Sequence, residues 1–572
     1  MAPSVLSTTL SLVGLQVVSR LFSFGLNQAL LRSTTPQAFG LATIKLDTLI
    51  GTVLFLLREG IRGAVVRTRS STSANGSTLQ RQALLLPTLF TPLAVGAFAL
   101  YHVYASPSPA PPYYATVLAL YLLSATVELL AEPLYLRTLQ SWETLTTRRV
   151  RVEGVAVFAK AAGTLVAVRS VSETNALLAF GVGQLVYSAT IWAGLAWIVP
   201  ASSTSRPQRT VSGFHRVDGR VFDPAITTLG WALTKQSVVK QLLTEGDKLA
   251  VGKFGTSADM GGYAVALNYG SLLARVVFQP LEESSRLYFS SLSTPDALVA
   301  EANDRTAKDD MRTIHVAERP VYSTLDTPPS LTALSAVTSY LRLLLLLYSH
   351  LTLIFVLFAP AYTTPLLHLL LGARWSSTSA APLLRAYALS LPFLAFNGLT
   401  EAFFQSVAPP RWLARGSAWM AACAAAFAAT VWATMRLRGW GAEGLVLANC
   451  VNLAMRTALS SVFMTRYFAE AAAATHDVQG DRARAELKPA RWLPRAPTVA
   501  AFAVAGWVVR RSESRWETAV LAQGKRVRAT AEHLAVGAVV GVGCLAVVGF
   551  SHRGEIRGRI AARRKGVERK TW

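Results

Sequence analysis

Apolar runs of about 20 residues, the length that crosses a bilayer as a helix, recur along the whole chain. The clearest runs cover residues 341–358, 442–464 and 533–550, and the short connectors between the runs hold most of the charge. Few soluble folds contain so many apolar runs of this length. The pattern predicts an all-α polytopic membrane protein.

Composition agrees with a membrane location. The 572 residues are 52% hydrophobic and 15% charged, whereas about a quarter of the residues in a soluble domain are charged. The net charge of +24 lies in the connectors, which is typical of cytoplasmic loops and argues against a nucleic-acid partner. The three cysteines fall within apolar runs and lack metal-ligand spacing, so we expect no metal site and no cofactor.

The runs predict about fourteen transmembrane helices. They cover roughly 5–31, 38–57, 82–104, 113–136, 152–170, 175–199, 225–251, 260–285, 334–359, 380–406, 417–435, 442–465, 496–509 and 532–550. A faint repeat relates the second run to the eighth and aligns Glu59 with Glu282. The repeat predicts two six-helix lobes followed by a C-terminal helical hairpin.

The connectors set the expected boundaries of these parts. Residues 1–200 form the N-terminal lobe, and 201–224 form a cytoplasmic linker. Residues 225–470 form the C-terminal lobe, with a flexible cytoplasmic loop at 286–333. Residues 471–572 supply a basic linker, the last two helices and a basic cytoplasmic tail.

Loop charge predicts the orientation of the chain. Lys and Arg concentrate in the connectors after even-numbered spans, whereas alternate connectors such as 105–112 are nearly uncharged. Because cytoplasmic loops are enriched in Lys and Arg, both termini are expected in the cytoplasm. The glycosylation sequon at Asn75 then faces the cytoplasm and is expected to stay unmodified. The basic stretch 510–528 falls on the opposite side and disagrees with this assignment.

Cations lie deep within the apolar runs and outnumber the nearby acids in the first eight spans. Each ionisable residue at the centre of a spanning helix costs about 2.5–3.5 kcal/mol, so a set of them indicates a shared polar interior. Excess positive charge in such an interior suits an anionic ligand, most often a phosphate. The candidate phosphate contacts are Arg20, Lys160, Lys235, Lys240, Arg275 and Arg456.

Polar and acidic residues recur at helical spacing beside these cations. Asn268, Arg275 and Glu282 lie on one stripe of a single helix. The candidates for hydroxyl contacts or gating salt bridges are Arg58, Glu59, Arg62, Glu128, Glu132, Glu245, Asn268, Gln279, Glu282, Glu283, Asn397, Glu401, Asn449 and Asn452. Two other interpretations stay open: residues near span ends snorkel to the headgroups, and deep pairs form salt bridges that only fix packing.

Six sequence blocks resemble the Rft family over about residues 5–470. They are FLLREGIRGA (55–64), LSATVELLAEP (123–133), KQLLTEGDKLAV (240–251), GSLLARVVFQPLEES (270–284), LPFLAFNGLTEAFF (391–404) and GLVLANCVNLAMR (444–456). The family consists of endoplasmic-reticulum membrane proteins of the exporter superfamily that includes MATE and MurJ-type proteins. The resemblance therefore implies a two-lobed MATE/MurJ-like fold.

The resemblance also implies a role in protein N-glycosylation. The expected substrate is the dolichyl-diphosphate oligosaccharide with five mannoses and two N-acetylglucosamines, which moves from the cytoplasmic to the lumenal leaflet. The cations listed above would then contact the diphosphate. The listed Asn, Glu and Gln residues would contact the sugars or form gating salt bridges. The expected partners are this glycolipid, membrane lipid and other proteins of the pathway, with the chain itself a monomer.

Three other functions compete with this assignment. A non-transporting accessory factor of the same pathway is also compatible with the sequence. A cation-coupled small-molecule exporter would use Asp47, Glu128 and Glu132 to carry protons or sodium. A glycosyltransferase needs an acidic site in a sizeable lumenal loop, and the predicted lumenal loops are short, so we predict that the chain is not an enzyme.

Overall fold

The structure is a computed structural model that describes residues 25–68, 85–107, 109–140, 142–199, 224–290, 331–372, 375, 378–475, 485–523, 526–554 and 557. Every regular element within these ranges is helical, which confirms the all-α prediction. The chain divides into two compact units. The first contains Met1–Ala264 with Leu370–Thr378, and the second contains Val265–Leu369 with Ser379–Trp572.

The first unit contains seven described helices and the start of an eighth. They are α1 (25–33), α2 (Pro36–Gly40, the π-helical turn Leu41–Leu46, and Asp47–Thr68), α3 (Leu86–Ala105), α4 (Tyr114–Gln140), α5 (Trp142–Ser170), α6 (Ala176–Ile198), α7 (Pro224–Phe254) and the start of α8, whose first segment is Ser257–Leu273 and which leaves this unit after Ala264. Thr35 caps α2 by accepting a 3.3 Å hydrogen bond from the Ala38 amide, and Pro36 occupies its first turn. The chain therefore starts α2 at a defined residue.

Close packing in the first unit joins α5 to α6, α2 to α7, and α4 to α6. Glycines allow the first two approaches. A Cβ atom at Gly183 would collide with the Thr164 side chain, and one at Gly60 would lie 2.5 Å from the Gly230 carbonyl oxygen. Small residues at such points let helix backbones approach, which is how helices associate in a membrane.

The second unit begins within α8 and contains the remaining helices. They are the rest of α8 (from Val265, with the π-helical turn Ala274–Phe278 and Gln279–Ser290), α9 (Leu331–Leu357), α10 (Ala359–Leu371, of which the part up to Leu369 belongs to this unit), α11 (Ala380–Val407), α12 (Pro410–Val431 and the π-helical turn Trp432–Leu437), α13 (Glu443–Thr475), α14 (Ala496–Gln523) and α15 (Arg526–Ser551). An aromatic core centred on Phe403 joins α8, α9, α11 and α13. Helices α14 and α15 pack against each other as a pair.

Eight of the described helices are long and apolar enough to cross a membrane. They lie at Pro36–Val65, Leu86–Ala105, Tyr114–Leu139, Glu173–Ile198, Ser335–Leu357, Arg411–Leu437, Glu443–Ala471 and Val527–Ser551. The multi-pass membrane class predicted from the sequence is therefore confirmed. The count of about fourteen helices and the arrangement in two lobes stay predictions.

Some boundaries differ from those expected. The helix predicted at 496–509 continues to Gln523, so part of the basic stretch 510–528 is helical. Helix α10 falls in a region that we expected to be a connector. Residues 201–223 of the predicted linker, most of the loop 286–333 and the sequon at Asn75 lie outside the described residues, and residue 224 already begins α7.

Candidate functional site

The candidate residues separate into two groups, one within each compact unit. Lys160, Lys235 and the Arg58–Glu132 set belong to the first unit, whereas Glu282, Glu401 and Arg456 belong to the second. Arg20 lies outside the described residues. The backbones of Lys240 and Arg275 are helical within α7 and α8, but their side chains are not among those described.

Two arginines of α2 meet two glutamates of α4 in the first unit. Arg62 binds Glu132 through two parallel hydrogen bonds of 2.7 Å and 2.6 Å. Arg58 donates from both terminal nitrogens to Glu128 Oε2, each at 3.2 Å, and lies 3.8 Å from Glu132 Oε2. Residues four apart share one helix face, so the matched spacing aligns both pairs at once. We call these four residues the quartet.

Neighbouring side chains complete the hydrogen bonding of the quartet. On α6, Gln184 and Ser188 donate to Glu128 Oε1 at 3.4 Å and 3.2 Å. The Arg62 guanidinium also stacks 3.7 Å from the ring centre of Tyr135. The glutamate side chains are only 9% and 2% exposed. A buried carboxylate is stable only when it is paired and hydrogen-bonded, and both are.

Lys160 lies in a smaller polar group, two to three helical turns from the quartet along α2 and α4. Its ammonium nitrogen is 3.1 Å from Asp47 Oδ1, and the hydroxyl of Tyr121 donates to the same oxygen at 3.0 Å. The side chains of Lys160 and Asp47 remain 29% and 32% exposed. This cation is therefore paired but still accessible to a ligand.

The candidates on α7 have different surroundings. Lys235 is exposed, with its ammonium 5.6 Å from the Trp231 ring. Glu245 forms a 2.7 Å ion pair with Lys248 of the same helix. Glu59 is half-buried on α2 and directly follows Arg58 of the quartet in the sequence.

Arg456 of α13 and Glu401 of α11 form the centre of the second group. Arg456 Nη2 donates to Glu401 Oε2 at 2.5 Å. Asn397 Nδ2 donates to the same oxygen at 3.1 Å, and Gln405 donates to Glu401 Oε1 at 2.9 Å. The three α11 residues are spaced by four, so they form one polar stripe facing α13.

This group retains unused hydrogen-bonding atoms. Asn397 is 5% exposed, and its Oδ1 atom has no hydrogen-bond partner among the described residues. The same holds for Arg456 Nε, so one acceptor and one donor are left over. Unpaired buried polar atoms are costly, and a ligand or an ordered water can satisfy them.

Helix α8 brings Glu282 against the same stripe. A Cβ atom at Gly398 would lie 2.9 Å from Glu282 Oε2, which places this carboxylate directly on α11. Glu282 also accepts from Arg286 at 2.6 Å. Gln279 and Glu283 are exposed and bond to each other at 3.0 Å. The half-buried Asn268 lies further along α8.

The remaining candidates, Asn449 and Asn452, lie on α13 within two turns of Arg456 and are half-buried. Together with Asn397 they place three amide side chains on the two helices that carry the Arg456–Glu401 pair. Amides both donate and accept hydrogen bonds, as sugar hydroxyls do.

Comparison with known proteins adds a family to this geometry. A family model described as "Rft protein" matches residues 4–561. The chain belongs to the Rft protein family. The resemblance found in the six sequence blocks is thereby confirmed.

Curated relatives of this Rft chain occur in fungi and in mouse. The chain is 31% identical over 509 residues to the Man(5)GlcNAc(2)-PP-dolichol translocation protein RFT1 of Yarrowia lipolytica, covering 80% of this chain and 69% of the relative. It is 29% identical to the protein of the same name from Mus musculus, covering 80% and 81%.

A solved structure shares the fold of the Rft chain. The lipid II flippase MurJ in an inward closed conformation superposes with a TM-score of 0.54 and 12% identity, covering 95% of this chain and 99% of that one. At this identity the similarity shows the fold alone. The predicted MurJ-like helical fold is thus supported over nearly the whole Rft chain.

Several contacts of the Rft chain were not predicted from its sequence. Gln184, Ser188 and Tyr121 support the candidate charges, and none of them belongs to a recognisable motif. A signal did exist for the quartet, because arginines four apart on α2 match glutamates four apart on α4. That signal indicates pairing only if the two helices are known to be neighbours.

Proposed function

We propose that the chain moves the dolichyl-diphosphate oligosaccharide with five mannoses and two N-acetylglucosamines from the cytoplasmic to the lumenal leaflet of the endoplasmic-reticulum membrane. The observation that carries this proposal is the name shared by relatives from yeasts and mouse, which are Man(5)GlcNAc(2)-PP-dolichol translocation proteins. The solved structure of the same fold is a lipid flippase. These are names of transport proteins, as expected for a chain that is not an enzyme.

Substrate chemistry assigns roles to the two groups. A diphosphate needs cations that a ligand can reach, and Lys160 and Arg456 keep 29% and 25% of their side chains exposed. Arg20, Lys235, Lys240 and Arg275 remain candidates for the same role on sequence grounds. Sugar hydroxyls need donors and acceptors, which the amides beside Arg456 supply.

The quartet suits a different role. Its carboxylates are buried and each is bonded by arginine, so a substrate would have to replace strong charge-assisted hydrogen bonds to reach them. We assign Arg58, Arg62, Glu128 and Glu132 as positioning residues that fix α2 against α4. Glu59, Glu245, Asn268, Gln279, Glu282 and Glu283 stay candidates for gating or sugar contacts.

The finer architecture belongs to the same proposal. About fourteen helices would form two six-helix lobes and a C-terminal hairpin, with both termini in the cytoplasm. Rocking of one lobe against the other would expose the glycolipid to each leaflet in turn. The chain would act as a monomer.

Reconstitution tests the transport proposal directly. The full-length protein is placed in liposomes carrying the fluorescent glycolipid, and reduction by a membrane-impermeant reagent reports the fraction in the outer leaflet. In liposomes with the wild-type protein, we expect the reagent to reach glycolipid from both leaflets, because inner-leaflet molecules move to the outer leaflet. We expect Arg456→Gln to slow this movement about tenfold because it weakens a charge-assisted contact. Arg436→Gln, which removes an exposed arginine of α12, is the matched control and is expected to leave the rate unchanged.

The outcome also separates the competing functions. Wild-type liposomes in which half of the glycolipid stays protected would overturn direct transport and favour an accessory factor, a role with which the extensive pairing of the deep charges agrees. Dependence of movement on a proton or sodium gradient would favour the exporter. Equal slowing by Arg436→Gln would remove Arg456 from the proposed contacts.

A further inference from the structure

A groove of about 750 Å³ runs between α5 and α6 in the first unit, and no residue of the quartet lines it. Arg148, Arg151 and Val155 line it from α5, and Ala189, Ala193 and Trp197 line it from α6. The spacings of three and four residues place each set on a single helix face. The groove is therefore a built feature of two neighbouring helices and not a gap between side chains of one helix.

The two helices run antiparallel along this groove. A Cβ atom at Gly194 would collide with Val152, and one at Gly183 would collide with Thr164, so residue numbers rise on α5 as they fall on α6. Arg148 and Arg151 therefore lie at the same end as Trp197. Val155 lies towards Ala189, about 10 Å further along the helix axis. One end of the groove is basic and aromatic, and the other is apolar.

The arginines of the groove are available for a ligand. Both are exposed, and neither forms an ion pair or a hydrogen bond with another described residue. Their neighbour Arg149 differs, because its guanidinium lies 4.9 Å from the Tyr135 ring and 3.6 Å from Glu153. The same short basic stretch thus uses one arginine internally and presents two to the groove.

The order of these side chains matches one kind of partner. Tryptophan and arginine gather where a helix leaves the hydrocarbon core, and the residues deeper along the groove are apolar. Basic pockets between membrane helices bind acidic lipid headgroups. A protein or a soluble anion would not need the apolar extension beside the charges.

We propose that this groove holds an anionic glycerophospholipid. Its phosphate lies between Arg148 and Arg151, where a planar guanidinium donates two hydrogen bonds to phosphate oxygens. One acyl chain follows Val155, Ala189 and Ala193 into the bilayer. The bound lipid fills the space between α5 and α6 and stabilises their packing, independently of glycolipid movement.

Native mass spectrometry of the full chain tests the site. Phosphatidylinositol and phosphatidylcholine of equal chain length are titrated into the detergent-purified protein. We expect wild type to retain phosphatidylinositol at least tenfold more strongly, and R148Q/R151Q to lose this preference, since each basic side chain near a membrane surface contributes measurably to anionic-lipid binding. Phosphatidylinositol is also expected to raise the Tm of wild type and not that of the double variant.

Two matched pairs of variants separate charge from shape. Arg151→Gln is compared with Arg169→Gln, an exposed arginine about 27 Å further along α5. Ala193→Phe fills the groove without altering charge, and Ala196→Phe adds the same ring to an exposed position of α6 outside the lining. Only the first member of each pair is expected to weaken retention.

Four results would overturn the proposal. They are equal retention of both lipids by wild type, unchanged retention by R148Q/R151Q, no effect of Ala193→Phe, and equally strong binding of soluble glycerophosphoinositol. Stronger binding of dolichyl phosphate than of phosphatidylinositol would assign the groove to the transported glycolipid instead. None of these readouts requires transport, so the site can fail while the proposed function stands.

Discussion

At the scale of single residues, the deep charges of this chain divide into those that satisfy one another and those that do not. The quartet is closed, with each carboxylate bonded by an arginine and, for Glu128, by two α6 side chains. The Arg456 group retains a free donor and a free acceptor among the described residues. We therefore propose two uses for charge inside the membrane here, one in packing and one in binding.

Removing one charge of the quartet should destabilise the fold. Breaking a buried ion pair costs about 3–5 kcal/mol, and we expect Glu132→Gln near the lower end because Arg62 keeps 23% of its side chain exposed. The charge reversal R62E/E132R should recover part of the loss. Thermal unfolding of the detergent-purified protein measures both effects.

The control for this experiment is Glu153→Gln, which breaks a half-exposed pair with Arg149 on one face of α5. Exposed pairs contribute about 0–1 kcal/mol, so its Tm should barely change. Equal Tm values for the Glu132 and Glu153 variants would contradict the positioning role.

The sequence gives a set of candidate charges but does not show how they pair. Arg58 and Glu128 are 70 residues apart, and only the packing of α2 on α4 brings them together. Likewise Glu401 lies 55 residues from Arg456. Spacing within one helix is visible in a sequence, whereas contacts between helices depend on which faces meet, and that depends on packing throughout the unit.

At the scale of elements, glycines permit close helix approaches, and π-helical turns interrupt some of the α-helices. Among the described residues, π-helical turns occur in α2, α8 and α12, and the turn in α8 contains the candidate cation Arg275. Such turns are frequent at functional sites because the extra residue re-aims the side chains that follow. No residue pattern in the sequence predicted them.

Adding one methyl group where α2 and α7 approach each other closely should lower the stability of the fold. A Cβ atom at Gly60 would meet Thr234 and the Gly230 carbonyl oxygen, so Gly60→Ala must push the two helices apart. We expect a loss of about 1–3 kcal/mol, read as a lower Tm. Gly51→Ala on the same helix meets nothing within 4 Å and should be neutral or slightly stabilising.

Helix positions were largely predictable, and the exceptions have physical causes. Most long helices follow apolar runs that the sequence shows plainly. Helix α10 lies between two predicted spans and contains Pro360 and Pro365, and proline is tolerated when neighbouring helices cover the freed backbone groups. Helix α14 continues past its apolar part as charged helix to Gln523, beyond the length that hydropathy alone can detect.

At the scale of the whole molecule, the orientation in the membrane remains a prediction with a direct test. Single cysteines are placed at Ser106, Thr147 and Ser172 in a chain whose native cysteines have been replaced. In sealed microsomes with the cytoplasmic face outward, we expect an impermeant maleimide to label Thr147→Cys alone. The other two should react only after permeabilisation, because their connectors carry few basic residues.

The reverse labelling pattern would invert the predicted topology and place both termini in the lumen. Labelling of all three positions in sealed vesicles would show that one of these helices fails to span the bilayer.

Helix α15 is the most apolar of the candidate spans, yet only 6% of its apolar window is buried within the protein. Its fixed points are few, with His533 stacked 4.5 Å from Tyr362 and hydrogen-bonded to Ser512 at 2.8 Å. We expect the rest of this helix to be constrained chiefly by its hydrophobicity. A deep mutational scan should therefore find aliphatic exchanges silent along most of its length.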